Sequence, residues 1–128
     1  MVYDELLEKH MKNFMNGYNV NFLAYGQTGT GKTHTLLGPP GAYTKYKGGT
    51  LTSSNIPEDF GILCRLVMNL LEKKGDAMLT MNCTQSSFMQ PLDILNNGMC
   101  YFDWNLLEYF GQQEHILTNG DEFLKFAQ

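Results

Sequence analysis

The sequence predicts an α/β fold of the P-loop NTPase type, and three observations support this prediction. A compact, mostly apolar run at residues 20–25 is typical of a buried strand. A glycine-rich phosphate-binding motif follows directly at residues 26–33, and a helix can begin at Lys32. The order of strand, loop and helix is the setting that a true P-loop requires, so the chain is predicted to bind the phosphates of a nucleoside triphosphate.

The composition argues against several other classes of protein. A chain of 128 residues has the length of one ordinary domain. With 43% hydrophobic and 17% charged residues, it has enough apolar surface to offset chain entropy, which argues against wholesale disorder. The net charge of -4 disfavours nonspecific attraction to nucleic acid or anionic lipid. No apolar run reaches the roughly 18 residues that a membrane span needs. We therefore expect neither nucleic acid nor a membrane as a partner.

The N-terminal segment lacks the uninterrupted apolar stretch of a secretory signal, which predicts an intracellular location. Cys64, Cys83 and Cys100 are an odd number of cysteines without a CxxC pair, so we expect buried thiols and neither a disulfide framework nor a zinc site. His10 and His115 have no companion at metal-ligand spacing and are interpreted as packed or exposed histidines.

An amphipathic helix is predicted before the strand. Apolar residues recur at helical spacing from Tyr3 to Met15, with acidic residues early and lysines later, as the helix dipole prefers. Gly17 is predicted to end this helix. After the P-loop, residues 32–37 can form little more than one helical turn before the Gly and Pro residues at 38–41 break it.

A long loop and a second helix follow. Residues 38–57 are rich in Gly, Pro, Thr and Ser, and a loop of this length in a compact domain is either functional or disordered. Apolar spacing predicts an amphipathic helix over about 60–74, with Asp59 as its N-cap and Gly75 after its end. Residues 77–83 alternate weakly and are predicted to form a strand.

The last part of the chain has weaker patterns. Residues 91–98 are predicted to be a short turn-rich segment, and residues 121–127 to begin a helix capped by Asn119 or Asp121. The aromatic residues in 101–104 are interpreted as core or strand packing and not as a ligand site.

The motif G-x-x-x-x-G-K-[ST] has a definite chemistry. Its glycines let consecutive backbone N–H groups point inward and hold phosphate oxygens at the positive end of the following helix. Lys32 is predicted to reach the β and γ phosphates, and Thr33 to place its hydroxyl on Mg²⁺. The motif consists of Gly26, Gln27, Thr28, Gly29, Thr30, Gly31, Lys32 and Thr33.

No catalytic residue is predicted beside this motif. Hydrolysis needs groups that position the attacking water and sense the γ phosphate. A Walker-B-type strand would be four apolar residues ending in Asp, and the nearest candidates, Asp93 and Asp103, follow no such run. Both are interpreted as turn or cap residues.

The P-loop and its flanks resemble the kinesin motor domain. In that family a VYD-type helix and a GYN turn lead to an FAYGQTGxGKT[HY]T loop, and a later helix opens with GI[IL]PR. Generic P-loop proteins share only the Gly, Lys and Thr positions. The matching residues in this chain are Val2-Tyr3-Asp4, Gly17-Tyr18-Asn19, Ala24 to Thr35, and Gly61-Ile62-Leu63-Cys64-Arg65.

The resemblance implies roles for particular residues. Residues 26–33 would hold the phosphates of ATP, Thr33 would ligate Mg²⁺, and His34 would lie toward the adenine and ribose. Residues 38–57 would be the family's variable loop. For the whole motor, the resemblance implies ATP hydrolysis, microtubules (tubulin) as the partner, and a cytoplasmic location on the cytoskeleton.

The resemblance also implies that residues 1–128 are one partial motor domain. Neither an NxxSSRSH nor a DxxG sequence occurs in them, and the family's R-x-R-P strand and basic microtubule-binding face have no counterpart. Cys64 replaces a family Pro, Asn21 places an amide in the P-loop strand, and residues 82–87 lack the family's Tyr and Glu. We therefore expect an incomplete central sheet, with residues 20–25 short of partner strands, and ATP binding without turnover by this chain alone.

Two other interpretations remain open. One is a nonenzymatic interaction fragment that docks on a partner through its exposed faces, with nucleotide incidental. The other is a small P-loop kinase or other NTPase that is complete at this length. The second would need an acceptor-site Asp or Arg constellation, and Arg65 is the only arginine.

Overall fold

The computed structural model describes residues 7–27, 29–86, 91–95 and 98–127. The chain divides into two compact units, the first formed by Met1–Ala77 with Thr118–Gln128 and the second by Met78–Leu117. The helices, all in the first unit, are α1 (Glu8–Met15), α2 (Lys32–Leu36), α3 (Ala42–Lys45), α4 (Ile62–Lys73) and α5 (Gly120–Ala127). The strands, all in the second, are β1 (Leu79–Met81), β2 (Thr84–Gln85), β3 (Leu92–Asp93), β4 (Gly98–Met99), β5 (Tyr101–Asp103), β6 (Glu108–Phe110) and β7 (His115–Leu117).

The first helix, α1, agrees with the predicted amphipathic pattern. Met11 is buried, while Glu8 and Lys12 form an exposed ion pair of 3.6 Å one turn apart. The helix ends at the predicted place, because Asn16 is its C-cap and Gly17 follows with a φ of +95°. The predicted part of this helix before residue 7 lies outside the described residues.

The prediction of a buried strand at residues 20–25 is wrong for this structure. All six residues are described, and none of them belongs to a strand. Leu23 is 89% exposed and Tyr25 is 94% exposed. An apolar run becomes a buried strand only when neighbouring strands take its backbone hydrogen bonds, and no described segment pairs with this one.

The end of α2 lies against the beginning of α4. The Gly61 N–H donates a 3.0 Å hydrogen bond to the Leu37 carbonyl, and a Cβ atom on Gly61 would lie 2.5 Å from the Leu36 carbonyl. Gly61 also occupies the N-cap position of α4, so the predicted cap at Asp59 is wrong. The close approach explains the difference, since the backbone at Gly61 is placed by the contact with α2 and not by a capping side chain.

The long loop at residues 38–57 is packed in this structure. It contains the one-turn helix α3, and its Tyr43 and Leu51 side chains are buried. The Tyr43 ring lies 4.6 Å from that of Phe60 and 5.9 Å from that of Phe123, measured between centroids. The buried apolar residues of the first unit are Leu7, Met11, Tyr43, Leu51, Phe60, Cys64, Val67, Met68, Phe123 and Leu124.

Helix α5 has the predicted cap. The Asn119 side-chain oxygen accepts a 3.0 Å hydrogen bond from the Glu122 N–H. The Glu122 carboxylate in turn accepts a 2.9 Å bond from the Thr118 N–H. One side chain therefore accepts an N–H group inside the first turn, and the other accepts an N–H group before the helix.

The second unit consists of short antiparallel pairings. Strand β1 pairs with β7 through Leu79 and Leu117, β3 lies between β2 and β4, and β5 forms a hairpin with β6. The strand predicted at 77–83 is present as β1. In the segment 91–98, predicted to be turn-rich, the structure shows β3, a turn at 94–95 and the first residue of β4, and residues 96–97 lie outside the described part.

The described residues contain both helices and strands, but the helices lie in the first unit, the strands lie in the second, and every strand pair is antiparallel. The alternation of helices with parallel strands that the predicted α/β fold implies is therefore not seen in this part of the chain. No disulfide involves Cys64, Cys83 or Cys100, and the first and last of these are buried. In the described part of the chain, the longest helices are too short or too polar to cross a membrane.

Candidate phosphate-binding site

Three glycines shape the loop that precedes α2. Gly26, Gly29 and Gly31 have φ angles of +154°, +87° and +98°, which residues with side chains rarely adopt. At Gly26 a second constraint applies, because a Cβ atom there would lie 2.6 Å from the Thr30 hydroxyl oxygen. The positions of glycine in the motif thus match the backbone that the loop requires.

The Lys32 side chain folds back over this loop. Its ammonium group donates a 2.5 Å hydrogen bond to the Gly26 carbonyl, six residues earlier. The Thr30 N–H and hydroxyl both donate to the Gln27 carbonyl, at 3.2 Å and 2.7 Å. These bonds close the loop and hold the Lys32 charge against the Gly26 carbonyl, while Gly29 and Thr30 remain exposed.

Helix α2 begins at Lys32, directly after the loop. The Thr35 N–H donates a 2.9 Å hydrogen bond to the Gly31 carbonyl, which is the first bond of the helix. The N–H groups of Thr33 and His34 donate to no backbone carbonyl of the described chain, as expected for the first turn. These donors and the exposed Thr33 hydroxyl lie beside the loop, where an anion can accept hydrogen bonds.

The structure therefore brings most of the predicted residues together. The described ones are Gly26, Gln27, Gly29, Thr30, Gly31, Lys32, Thr33 and His34. Thr28 lies outside the described residues. His34 is exposed on α2 beside Thr33, and its role toward adenine and ribose stays a prediction.

A groove of about 420 Å³ lies next to Lys32 and Thr33 and was not predicted. Its walls are mostly apolar and come from residues 22 and 24, from α2 with the residue after it, and from α4. The spacing of apolar residues on α4 was the available signal, but it indicated only a core face. The lining residues are Phe22, Ala24, Lys32, Thr33, Leu36, Leu37, Ile62, Leu63 and Leu66.

The far end of α2 is fixed by Tyr43. The Tyr43 hydroxyl donates a 2.6 Å hydrogen bond to the Leu37 carbonyl. Burial, with smaller effects from Cys64 and Asp59, raises the pKa of Tyr43, so the hydroxyl keeps its proton and remains a donor at neutral pH.

The two aspartates that failed the Walker-B criterion have the structural roles predicted for them. Asp93 is buried and accepts bonds from the N–H groups of Leu95 (3.3 Å) and Gln113 (2.9 Å). Asp103 accepts bonds from Asn105 (2.8 Å) and Leu106 (3.0 Å) in a tight turn. Each carboxylate stabilises a turn of the second unit.

Comparison with known proteins identifies the family that most of the chain matches. Residues 1–102 match the kinesin motor domain family. The chain is 32% identical over 99 residues to the kinesin-like protein Klp61F of Drosophila melanogaster, a match covering 77% of the chain and 8% of the relative. It is 32% identical over 83 residues to the kinesin-like protein bimC of Emericella nidulans, covering 65% and 6%. It is also 39% identical over 77 residues to the kinesin-like protein KIF15-B of Xenopus laevis, covering 59% and 5%. The chain thus spans less than a tenth of each of these relatives.

Proposed function

From the premise that this chain belongs to the kinesin motor domain family, we propose that residues 26–33 bind ATP with Mg²⁺ as part of a microtubule-based motor. The observation that carries the proposal is the closed loop, in which Lys32 bonds to the Gly26 carbonyl and the glycines have positive φ angles. A loop of this shape at a helix start would suit an anion, because its N–H groups and the helix dipole favour negative charge.

The residues of the loop fit the two ligands. Lys32 would exchange its bond to the Gly26 carbonyl for bonds to the β and γ phosphates, which are stronger because both partners are charged. The exposed Thr33 hydroxyl would ligate Mg²⁺, and the metal would supply charge neutralisation between the β and γ oxygens. His34 would lie toward the adenine and ribose.

We further propose that these 128 residues bind ATP but do not hydrolyse it. They contain no SSRSH or DxxG sequence, and the described carboxylates Asp93 and Asp103 are held in turns of the second unit. Water positioning and γ-phosphate sensing would then depend on other parts of the motor. Microtubules as partner, and a cytoplasmic location on the cytoskeleton, belong to the same proposal.

The alternative of a small P-loop kinase is disfavoured by Arg65. The Arg65 guanidinium donates bonds of 3.1 Å and 3.2 Å to the carbonyls of Pro57 and Glu58. The only arginine of the chain is therefore used to fix the segment before α4, and no second one is present to clamp a phosphoryl acceptor.

The test is the binding of a fluorescent ATP analogue to the whole chain, with Mg²⁺ and with a chelator. We expect saturable, Mg²⁺-dependent binding that Lys32→Ala weakens by more than about tenfold, because a charge-assisted bond to phosphate is lost. Thr33→Ala should remove most of the Mg²⁺ dependence.

Lys47→Ala is the matched control, since Lys47 is an exposed lysine outside the loop. Its binding should equal that of the unchanged chain. Binding that is the same in Lys32→Ala and Lys47→Ala would overturn the assignment of the site. Hydrolysis of ATP by the chain alone would contradict the second proposal and leave the first intact.

A further inference from the structure

The hairpin of β5 and β6 presents a hydrophobic tip, which we define as residues 104–107. Trp104 is 81% exposed, Leu106 62% and Leu107 68%. Single exposed apolar residues are ordinary, but three within one four-residue turn concentrate exposed apolar surface in one place, as interaction sites do. The family match ends at residue 102, so it assigns no role to this tip.

The tip is held in a defined shape. The Asp103 carboxylate accepts bonds from the N–H groups of Asn105 and Leu106, which fixes the turn. Beneath it, the Phe102 ring packs edge-on against Trp104 at 4.8 Å and against Tyr109 at 4.9 Å. A rigid aromatic base lowers the entropy lost on binding, which is the general advantage of a preorganised surface.

The backbone conformation of Leu107 also indicates that the tip has a function. Its φ is +55°, and among the described residues it is the only non-glycine residue with a positive φ. A leucine in this left-handed region is strained, and a glycine would relieve the strain. Strain that persists at an exposed position points to a selected side chain, because the fold itself gains no buried contact from it.

The formally charged residues of the second unit all have one sign. Residues 78–117 contain four acidic residues and no lysine or arginine, so they hold the whole formal charge of -4 of the chain. Asp103 and Glu108 are opposite each other across the hairpin, immediately before and after the tip. The hydrophobic tip therefore has an acidic rim.

We propose that this tip docks on a partner protein that offers a hydrophobic surface rimmed with Lys and Arg, such as a basic amphipathic helix. Leucine and tryptophan would supply the buried contacts, and the acidic rim would select a basic partner and speed association. A second copy fits less well, because a symmetric contact would bring the acidic rims of both copies together. Nucleic acid and anionic lipid are disfavoured by the same charge.

The chain contains its own reporter, since Trp104 is its only tryptophan. The probe is a synthetic helical peptide with leucines on one face and lysines on the other, added to the whole chain. We expect a blue shift of the Trp104 emission as the indole leaves water, with binding that weakens as salt is added.

Two variants locate the contact. Leu107→Gly removes the side chain and also relieves its strain, so a loss of binding in this variant does not result from unfolding. We expect it to weaken binding about tenfold, as for an anchor at the centre of an interface. Glu108→Gln should weaken binding several-fold and make the binding affinity depend less on salt concentration. Met78→Ser, which removes another exposed apolar side chain of the unit, should bind as the unchanged chain does.

Four results would overturn the proposal. They are an equal shift with a peptide that carries glutamates in place of the lysines, unchanged binding by Leu107→Gly, a blue shift on concentrating the chain alone, and a shift with phosphatidylserine vesicles. The third would indicate self-association, and the fourth a membrane surface. None of these measurements involves the P-loop, so the result is independent of the proposed nucleotide binding.

Discussion

The hydroxyl of Tyr43 bonds to the backbone carbonyl of Leu37 at 2.6 Å, which joins the long glycine-rich loop to the end of the P-loop helix. The same carbonyl accepts the N–H of Gly61 at 3.0 Å, so three separate segments meet at one oxygen atom. The loop is thereby anchored to the element that carries the phosphate site.

Tyr43→Phe should therefore destabilise the chain while leaving the packed ring in place. We expect a loss of about 1 kcal/mol in the free energy of unfolding, the usual net value of a hydrogen bond, measured by urea unfolding followed by circular dichroism. Tyr46→Phe is the control, because its hydroxyl bonds to the Gly49 carbonyl on the exposed surface. A loss no larger in Tyr43→Phe than in Tyr46→Phe would show that the anchor contributes nothing.

Gly61→Ala should be destabilising through a steric clash. The added Cβ atom would lie 2.5 Å from the carbonyl carbon and oxygen of Leu36, which are backbone atoms that cannot rotate away. We expect a loss of about 1–3 kcal/mol in the free energy of unfolding, as for other overpacked sites. At Gly49 an added Cβ meets no atom within 4 Å, so Gly49→Ala should be close to neutral. Equal stability of the two variants would mean that the close approach of α2 and α4 is absent in solution.

Gly31→Ala should impair nucleotide binding by deforming the loop. Gly31 has a φ of +98° and open space around it, so only backbone strain opposes the alanine. Gly17→Ala imposes the same kind of strain at +95°, also in open space, but outside the loop. Both variants should lose about 1 kcal/mol of stability, while only Gly31→Ala should lose affinity for the ATP analogue. Unchanged affinity in Gly31→Ala would count against the loop geometry described here.

The stability of the chain should fall in alkaline solution partly because of Cys64. Burial raises the pKa of Cys64 to about 12, although the charge of Arg65 acts in the opposite direction. In the unfolded chain a thiol has a pKa of about 8.5, so the thiol loses its proton at lower pH in the unfolded state than in the folded state. The contribution of the protonated Cys64 thiol to the free energy of unfolding is therefore complete below about pH 8.5. Above that pH it declines by at most about 1.4 kcal/mol per pH unit as the pH rises towards the folded-state pKa.

Urea unfolding of the unchanged chain and of Cys64→Ala, at about pH 8 and about pH 10, checks this prediction. The alanine variant starts less stable because it leaves a cavity, but its stability should fall less between the two pH values. Parallel declines in the two proteins would assign the alkaline loss to other groups.

Asp93→Ala should destabilise the second unit. Asp93 is 1% exposed, and its carboxylate accepts hydrogen bonds from the N–H groups of Leu95 and Gln113, which would lose that acceptor in the variant. We expect a loss of about 2 kcal/mol or more in the free energy of unfolding. Asp103 also accepts two N–H groups, but on the surface, where water can replace it. Asp103→Ala should therefore lose less, and the reverse order would contradict this account.

Local patterns predicted α1, α2, α4 and α5, but not the one-turn helix α3. The spacing of apolar residues located α4, and Asn119 was identified as a cap because a short polar side chain before a helical pattern needs no distant partner to act. The shape of the P-loop follows from local sequence in the same way, since its glycines and Lys32 form a turn made only of residues close in the chain.

Predictions that depend on distant partners were less accurate. Residues 20–25 have a strand pattern but no pairing strand among the described residues, and the cap expected at Asp59 gave way to a contact between Gly61 and Leu36. The strands of the second unit are two or three residues long, and a period of two cannot be detected over so short a stretch.

The amino-acid sequence alone determined the phosphate loop and the kinesin resemblance, because both depend on residue types at short spacing, and the family match supports the resemblance. Only the tertiary structure decided that the loop at 38–57 is packed through Tyr43, and that Trp104, Leu106 and Leu107 share one exposed tip. The physical reason is that burial depends on which distant segments meet, and an apolar residue has the same letter whether a neighbour covers it or not.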